Sequence, residues 1–145
     1  MTVGTARGSR PHDPLLPDDV TAATGCPVLE VIRENEGSED APDAALTDGS
    51  WALTFDLGSG RYLSCYANRF PVARFTVQDD LDAWTAEAEF APVDGVGDQA
   101  VILTDDTIWF RVGQEWAVQI LASPDLPRSA RLAAAGAAAR RLAGA

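Results

Sequence analysis

The segment that most resembles a binding loop spans residues 91–103 and reads APVDGVGDQAVIL. Asp94 and Asp98 flank the pair Gly95 and Gly97 just before an apolar run. A phosphate loop would be followed by a helix and would usually carry a lysine, whereas a predicted strand follows here and the chain has no lysine. A calcium loop needs more oxygen ligands than two carboxylates supply. The pattern therefore favours a structural turn in which Asp98 accepts hydrogen bonds from nearby backbone amides.

Few residues are available for nucleophilic or metal chemistry. His12 is the single histidine and precedes the first predicted element, so a serine or cysteine nucleophile has no well-placed base. Cys26 and Cys65 are too far apart for a zinc knuckle, which His12 cannot complete. The two cysteines form a disulfide if the protein is exported, or remain buried thiols if it is cytosolic. We therefore predict no metal site and no cofactor.

Acid–base chemistry by carboxylates stays open, because the chain has 22 acidic residues. Asp56 is the most suggestive of them, since it alternates within an otherwise apolar strand. Its structural alternatives are a sheet-edge carboxylate or a partner of Arg61 across a turn. No catalytic residue is assigned, and the sequence favours a role without catalysis.

Composition excludes some partners. The net charge is −11, and all 11 basic residues are arginine. Such a chain repels phosphate backbones and anionic lipid, so we predict no nucleic-acid binding, whereas a basic protein partner remains open. No apolar run approaches the length of a membrane span, so no membrane insertion is expected.

Length and hydrophobic content predict one domain. The 145 residues, 46% of them hydrophobic, suit a single core over residues 14–145, preceded by a flexible arm over residues 1–13. The N-terminus lacks an apolar signal region, which predicts a cytoplasmic protein as given, or an exported one if the chain is a trimmed form of a longer protein. The oligomeric state stays open.

The first half of the chain predicts a helix and three strands. Pro17 and two aspartates open a short helix over 17–24, and Gly25 ends it. A mostly covered strand over 27–34 and an acidic loop over 35–49 follow. Strict alternation on both sides of Gly-Ser-Gly, at 58–60, then indicates an antiparallel hairpin.

The second half predicts a helix, three strands and a helix. Residues 69–77 are ambiguous because of Pro71, residues 78–90 have helical spacing, and Pro92 closes that helix. The strands are predicted at 100–104, 107–112 and 115–122. The alanine-rich C-terminal segment is predicted to be a helix capped by Ser123 or Asp125.

This order predicts an α+β fold. Strand runs separated by helices give the layout helix-βββ-helix-βββ-helix, with an antiparallel sheet of about six strands and the helices packed on the sheet. The short connections between the last three strands require an antiparallel meander.

The aromatic residues divide between the two faces of the predicted sheet. Trp51, Trp84 and Trp116 fall on apolar faces and are predicted to lie in the core. The opposite face combines aromatic rings with a few oriented polar groups, as ligand sites do. The predicted ligand-binding residues are Tyr62, Tyr66, Trp109, Arg111 and Gln119.

Five segments carry a resemblance to a family. They are LLPDDVTAATG (15–25), YLSCYAN (62–68), GVGDQA (95–100), FRVGQEWAVQIL (110–121) and RLAAAGAAARRLA (131–143). In these segments the chain resembles small actinobacterial lipoprotein-like domains of unknown function that carry a G-x-G-D-x-A loop. The resemblance implies an α+β domain, usually exported and lipid-anchored, without a known reaction. The chain differs from that pattern in having no signal sequence and in reading DPLL where the family has proline-cysteine before the leucine pair.

These observations favour a non-enzymatic accessory domain that binds a hydrophobic small molecule or a protein partner on one sheet face. One alternative is a small cofactor-independent cyclase or isomerase of a biosynthetic pathway. The other is an acidic inhibitor or immunity-type protein that blocks a basic partner. An enclosed cavity above roughly 300 Å³ would favour the small-molecule hypotheses, and a filled interior would favour protein binding.

Overall fold

The computed structural model of the chain describes residues 9–10, 12–33, 50–70, 74, 76–86 and 89–144. These residues form three helices, α1 (Pro17–Thr24), α2 (Val77–Thr85) and α3 (Arg128–Ala143). They also form the strands β1 (Glu30–Arg33), β2 (Ser50–Gly58), β3 (Arg61–Arg69), β4 (Phe90–Val93), β5 (Gln99–Leu103), β6 (Ile108–Val112) and β7 (Trp116–Ala122). The predicted acidic loop and residues 71–73 and 75 of the ambiguous segment lie outside the described residues.

One sheet contains all seven strands, in the order β1-β2-β3-β7-β6-β5-β4, and every neighbouring pair is antiparallel. The first and last meanders join at its centre, where β3 pairs with β7 and Cys65 lies opposite Ile120. The chain therefore leaves the centre after β3, reaches the far edge at β4, and returns strand by strand to β7. Helix α2 lies on this crossing path.

The predicted α+β class and antiparallel sheet are confirmed, but the predicted six strands and the repeated βββ layout are wrong. The second half of the sheet has four strands, because residues 90–93 form β4. Pro92 lies opposite Val101 in β4 and does not close α2, which ends at Thr85. Since β4 is an edge strand, its proline removes no ladder hydrogen bond that the sheet requires.

The central hairpin forms as its alternation predicts. Its turn consists of Ser59 and Gly60, which have φ of 58° and 77°. Positive φ at both central residues is the condition for a type I′ turn, whose twist matches that of the flanking strands. The register pairs Thr54 with Ser64, and their hydroxyl oxygens are 2.9 Å apart.

The core face of the sheet, which packs against α1 and α3, contains most of the buried apolar residues. Its central side chains are Leu53, Phe55, Leu63, Cys65, Ile108, Phe110, Val118 and Ile120. Helix α3 contributes mainly alanines to this layer, and Ala134, Ala135 and Ala138 are fully buried. Small side chains allow the helix axis to lie close to the sheet, and Arg141 of α3 pairs with Asp19 of α1.

The folded unit includes Asp13, which the sequence places at the end of a flexible arm. Its carboxylate pairs with the Arg33 guanidinium on β1, and the two side chains are only 2% and 7% exposed. The second carboxylate oxygen accepts a hydrogen bond from the Arg10 backbone amide at 2.9 Å. A buried ion pair therefore holds the segment before α1 against the sheet.

Candidate functional site

The five predicted ligand-binding residues share one side of the sheet, here called the outer face. Tyr66 lies opposite Gln119, which in turn lies opposite Trp109. Tyr62 is four residues from Tyr66 on β3, and Arg111 is two residues from Trp109 on β6, so both point to the same side. The structure nevertheless separates these residues, because α2 covers only part of the outer face.

Helix α2 buries Trp109 completely. The indole Nε1–H of Trp109 donates a hydrogen bond to the Asp80 carboxylate at 2.7 Å. Val77 and Leu81 of α2 and Val101 of β5 pack against the same ring. The sequence places Trp109 on an accessible face, and it is instead the largest fully buried side chain among the described residues.

The carboxyl of Asp80, which belongs to the first turn of α2 and is half-buried, has a shifted pKa. Burial raises its pKa above the usual aspartate value, and the hydrogen bond from Trp109 partly opposes this shift. The carboxylate therefore holds α2 on the sheet by its hydrogen bond but pays a desolvation penalty for its charge.

Replacing Asp80 with alanine is expected to lower the free energy of unfolding by about 1–3 kcal/mol, because Trp109 Nε1 would be buried without an acceptor. Asp80→Asn is the matched control, since its amide oxygen can accept the same hydrogen bond without a buried charge. We expect this variant to match or exceed the wild type in urea unfolding at neutral pH. Equal losses in the two variants would contradict the assigned role of the hydrogen bond.

The direction of the Asp80 pKa shift also fixes a pH dependence. The folded protein holds the Asp80 proton more tightly than the unfolded chain does. Protonated Asp80 therefore contributes to the free energy of unfolding, and this contribution is fully present below the unfolded aspartate pKa of about 3.9. The contribution is lost as the pH rises through the raised pKa of the folded state. The unfolding free energy of the wild type is therefore expected to fall relative to Asp80→Asn over this range.

Arg111 and Gln119 offer little free polar surface. The Arg111 guanidinium donates to the Gln99 side-chain oxygen at 3.1 Å and to the Gly113 carbonyl at 2.9 Å. Gln119 is buried between Tyr66 and Trp109 in its row of the sheet. Arg111 therefore makes its hydrogen bonds within the protein, and Gln119 is buried, so neither side chain offers an open polar group for a ligand.

The other end of the outer face is more open. Tyr62 and Ile32 are 41% and 43% exposed, and Thr54 and Tyr66 are half-buried. In the register Glu30 lies opposite Asp56, and Asp56 lies opposite Tyr62. We call this region the tyrosine patch, and its residues are Glu30, Ile32, Thr54, Asp56, Tyr62 and Tyr66.

The sequence predicts the two tyrosines of this patch as ligand-binding residues but not Glu30 or Ile32. The alternation in 27–34 already places these two residues on one side of β1. The sequence predicts that β1 is mostly covered, whereas both side chains are exposed at the edge of the sheet. Exposure depends on the partner of the strand, which alternation does not specify.

Asp56 has a structural role in the hairpin. Its carboxylate accepts a hydrogen bond from the Gly58 backbone amide at 2.9 Å. Arg61 does not pair with it, since its guanidinium donates to the Cys26 sulfur at 3.2 Å and to carbonyls of the turn. Asp56 therefore contributes negative charge to the tyrosine patch while it holds the turn.

The glycine loop at residues 94–98 connects β4 to β5 and is hydrogen-bonded to the turn between β6 and β7. Gly95 and Gly97 have positive φ, as predicted. The Asp98 carboxylate accepts a hydrogen bond from the Gly113 amide at 2.6 Å, and the Asp98 amide donates to the Arg111 carbonyl at 2.9 Å. The structural prediction for this loop is confirmed, since Asp98 joins it to the β6–β7 turn.

The cysteines are buried free thiols. Burial, and secondarily the negative charge of Asp13, raise the pKa of Cys65 to about 12. A thiol with that pKa is protonated at neutral pH and is a poor nucleophile or metal ligand. Among the described residues, no group of three or more histidine, cysteine or acidic side chains could hold a metal ion.

Three surface grooves are lined by described residues. One, beside β4 and the start of α3, has a volume of about 220 Å³ and is lined in part by Phe90 and Arg128. A second of about 210 Å³ lies between the glycine loop and Arg140, and a third of about 160 Å³ lies between α1 and α3. All three are smaller than typical sites for drug-sized ligands, which begin near 300 Å³.

Neither a protein-family model, nor a curated protein, nor a solved structure matches this chain. The resemblance to lipoprotein-like domains therefore stays a prediction. Within the described part of the chain, no helix has the length and apolar character needed to cross a membrane.

Proposed function

We propose that this protein is a non-enzymatic accessory domain that binds a basic protein partner through the tyrosine patch. The observation that carries the proposal is the exposure of Tyr62 and Ile32 on the same face as two carboxylates. A tyrosine at a surface supplies a large apolar area and a hydroxyl, which is why tyrosine is enriched in protein interfaces.

The distribution of exposed apolar side chains supports this location. Among the described residues, four large hydrophobic side chains are exposed, and two of them, Ile32 and Tyr62, belong to the tyrosine patch. Single exposed apolar residues are normal on a protein surface, so it is the combination of the two with the nearby carboxylates that supports this patch. Contact with a partner would remove this area from water.

Charge supports a basic partner. Glu30 and Asp56 lie in the same row as Tyr62, and the whole chain has a net charge of −11. Complementary charge steers association and excludes acidic competitors. Arginine or lysine side chains of a partner can also lie over the tyrosine rings. This chemistry is shared with the inhibitor or immunity hypothesis, which is one specific form of the same proposal.

The small-molecule hypotheses have less support. A cyclase or isomerase would need an enclosed space beside the aromatic residues of the outer face, and α2 packs directly on Trp109 there. The three grooves described above lie elsewhere and have small volumes. Protein binding needs only an accessible surface, which the tyrosine patch provides.

The proposal is tested by mapping a defined probe on the protein with NMR. The probe is a short peptide of alternating arginine and leucine at low ionic strength, and its control replaces arginine with glutamate. We expect saturable shifts of the Ile32, Thr54 and Tyr62 amides with the arginine peptide only. Tyr62→Ser is expected to weaken binding about tenfold, which corresponds to about 1.4 kcal/mol.

Two matched variants sharpen the test. Phe90→Ser removes an exposed aromatic ring at the opposite edge of the sheet and should leave binding unchanged. Asp56→Asn keeps an acceptor for the Gly58 amide but removes the charge, and should weaken binding. Shifts centred on the exposed acids of α2, with the same affinity in Tyr62→Ser, would show non-specific attraction and would overturn the proposal.

A further inference from the structure

A groove of about 210 Å³ lies where the glycine loop approaches the C-terminal half of α3. Its wall contains three glycines and two charged residues: Gly95, Gly97, Gly136, Asp98 and Arg140. The three positions without side chains leave space between the loop and the helix. Because a water molecule takes up about 30 Å³ in the liquid, this groove has room only for a molecule of a few non-hydrogen atoms.

Gly136 gives the groove its space on the helix side. It interrupts a run of alanines in α3, at 133–135 and 137–139. Glycine lowers helix stability relative to alanine, so alanine at this position would form the more stable helix. A Cβ at position 136 would lie 3.3 Å from Arg140 Nη1, so this guanidinium lies back along the helix, beside the glycine. Gly136 therefore leaves room for the Arg140 guanidinium and for a ligand next to it.

The Arg140 guanidinium differs from the other three of α3, because it has no partner among the described residues. Arg128 and Arg141 form ion pairs with aspartates, and Arg131 donates to backbone carbonyls. A guanidinium binds a carboxylate through parallel N–H donors. Arg140 is therefore free to pair with a carboxylate that enters the groove.

Asp98 supplies the opposite charge on the loop side of the groove. Its Oδ2 accepts the hydrogen bond from the Gly113 amide, whereas its Oδ1 has no partner among the described residues. Arg140 and Asp98 line the same groove but do not form an ion pair with each other. Asp98 repels a simple anion, and Arg140 repels a simple cation. A molecule that carries both charges can place each one against its opposite.

We infer that this groove binds a small zwitterion of the class of a free α-amino acid. The ligand carboxylate pairs with the Arg140 guanidinium, and the ligand ammonium pairs with the Asp98 carboxylate. A short side chain contacts the apolar part of the wall, which consists of Val112, Ala139 and Ala143. Helix α3 packs on the core face and the tyrosine patch is on the outer face, so this inference does not depend on the proposed protein partner.

The test is a titration of the whole protein with L-alanine, followed by nitrogen-15 NMR. The resonances to follow are the Gly95, Gly97 and Gly136 amides and the Arg140 Nε–H. Propionate and ethylamine are the matched control probes, because each keeps one charged group of alanine and lacks the other. We expect saturable shifts in the millimolar range with alanine, and binding of each control probe at least about tenfold weaker.

Gly136→Ala is the sharpest variant, because a longer alanine run favours the helix while the added methyl group fills part of the groove. We expect about tenfold weaker alanine binding with no loss of thermal stability. Arg140→Gln removes the positive charge and should weaken binding to a similar degree. Arg128→Gln is the matched control on the same helix, since Arg128 does not line this groove, and it should bind alanine like the wild type.

Three results would overturn the inference: no saturable shift with alanine, binding of propionate as tight as that of alanine, or unchanged alanine binding in either Gly136→Ala or Arg140→Gln. Tyr62→Ser should bind alanine like the wild type. Loss of alanine binding and loss of binding at the tyrosine patch are therefore separate outcomes.

Discussion

Asp13→Ala is expected to lower the free energy of unfolding by about 3–5 kcal/mol, because it leaves the Arg33 guanidinium buried without a counter-charge. Both side chains of the pair are less than a tenth exposed, so water cannot replace the lost carboxylate. Urea-induced unfolding, followed by tryptophan fluorescence, measures this loss. An effect of this size would consume a large fraction of the stability of an ordinary domain.

Two controls separate the buried pair from ion pairs in general. Arg128→Ala breaks the ion pair between Arg128 and Asp106, in which the arginine side chain is 60% exposed and the aspartate side chain 35%. It should lower the free energy of unfolding by only about 0–1 kcal/mol. The double variant Asp13→Leu with Arg33→Met removes both charges and should recover most of the lost stability. If Asp13→Ala costs no more than Arg128→Ala, the interior pair does not hold the N-terminal segment as described.

Gly97→Ala is expected to be the second strongly destabilising substitution, because its Cβ would lie 2.4 Å from the Arg111 carbonyl oxygen. That contact is with backbone, so it cannot be relieved by a side-chain rotation. The positive φ of 57° adds about 1–2 kcal/mol for any residue with a Cβ. Forced displacement of the packed β6 strand adds about 1–3 kcal/mol more. Thermal and urea unfolding measure the combined loss.

Gly95→Ala is the matched control within the same loop. Its φ is 83°, but a Cβ at this position meets nothing within 4 Å. It should therefore show only the conformational cost of the left-handed region, about 1–2 kcal/mol. A loss for Gly97→Ala no larger than that for Gly95→Ala would mean that the loop can move away from Arg111.

Local patterns in the sequence were sufficient for most of the individual elements. The bounds of α1 follow from Pro17 at its start and Gly25 at its end, and the central hairpin follows from alternation around its glycines. These features depend on residues close together in the chain, where backbone preference and period act directly. The local pattern does not predict the short edge strand β4, because Pro92 is as typical of a helix stop as of an edge strand.

The sequence predicts only part of the candidate site, because local patterns specify which face a side chain is on but not what covers that face. Alternation correctly assigns Tyr66, Gln119 and Trp109 to one face, since the period of two is a property of each strand. It does not specify that α2 covers Trp109 or that Tyr62 stays open. Those outcomes follow from the long connection after β3, which carries α2 across the outer face toward β4.

The sequence by itself determined the class of the fold, the hairpin, the structural nature of the glycine loop and the sharing of the outer face by the tyrosines, Trp109, Arg111 and Gln119. Only the tertiary structure decided the strand order, the burial of the Asp13–Arg33 pair and the division of the outer face into covered and open parts. The physical reason is range: backbone preference and side-chain period act between near neighbours. Burial, by contrast, depends on which distant segments meet, and here the pairing of β3 with β7 brings them together.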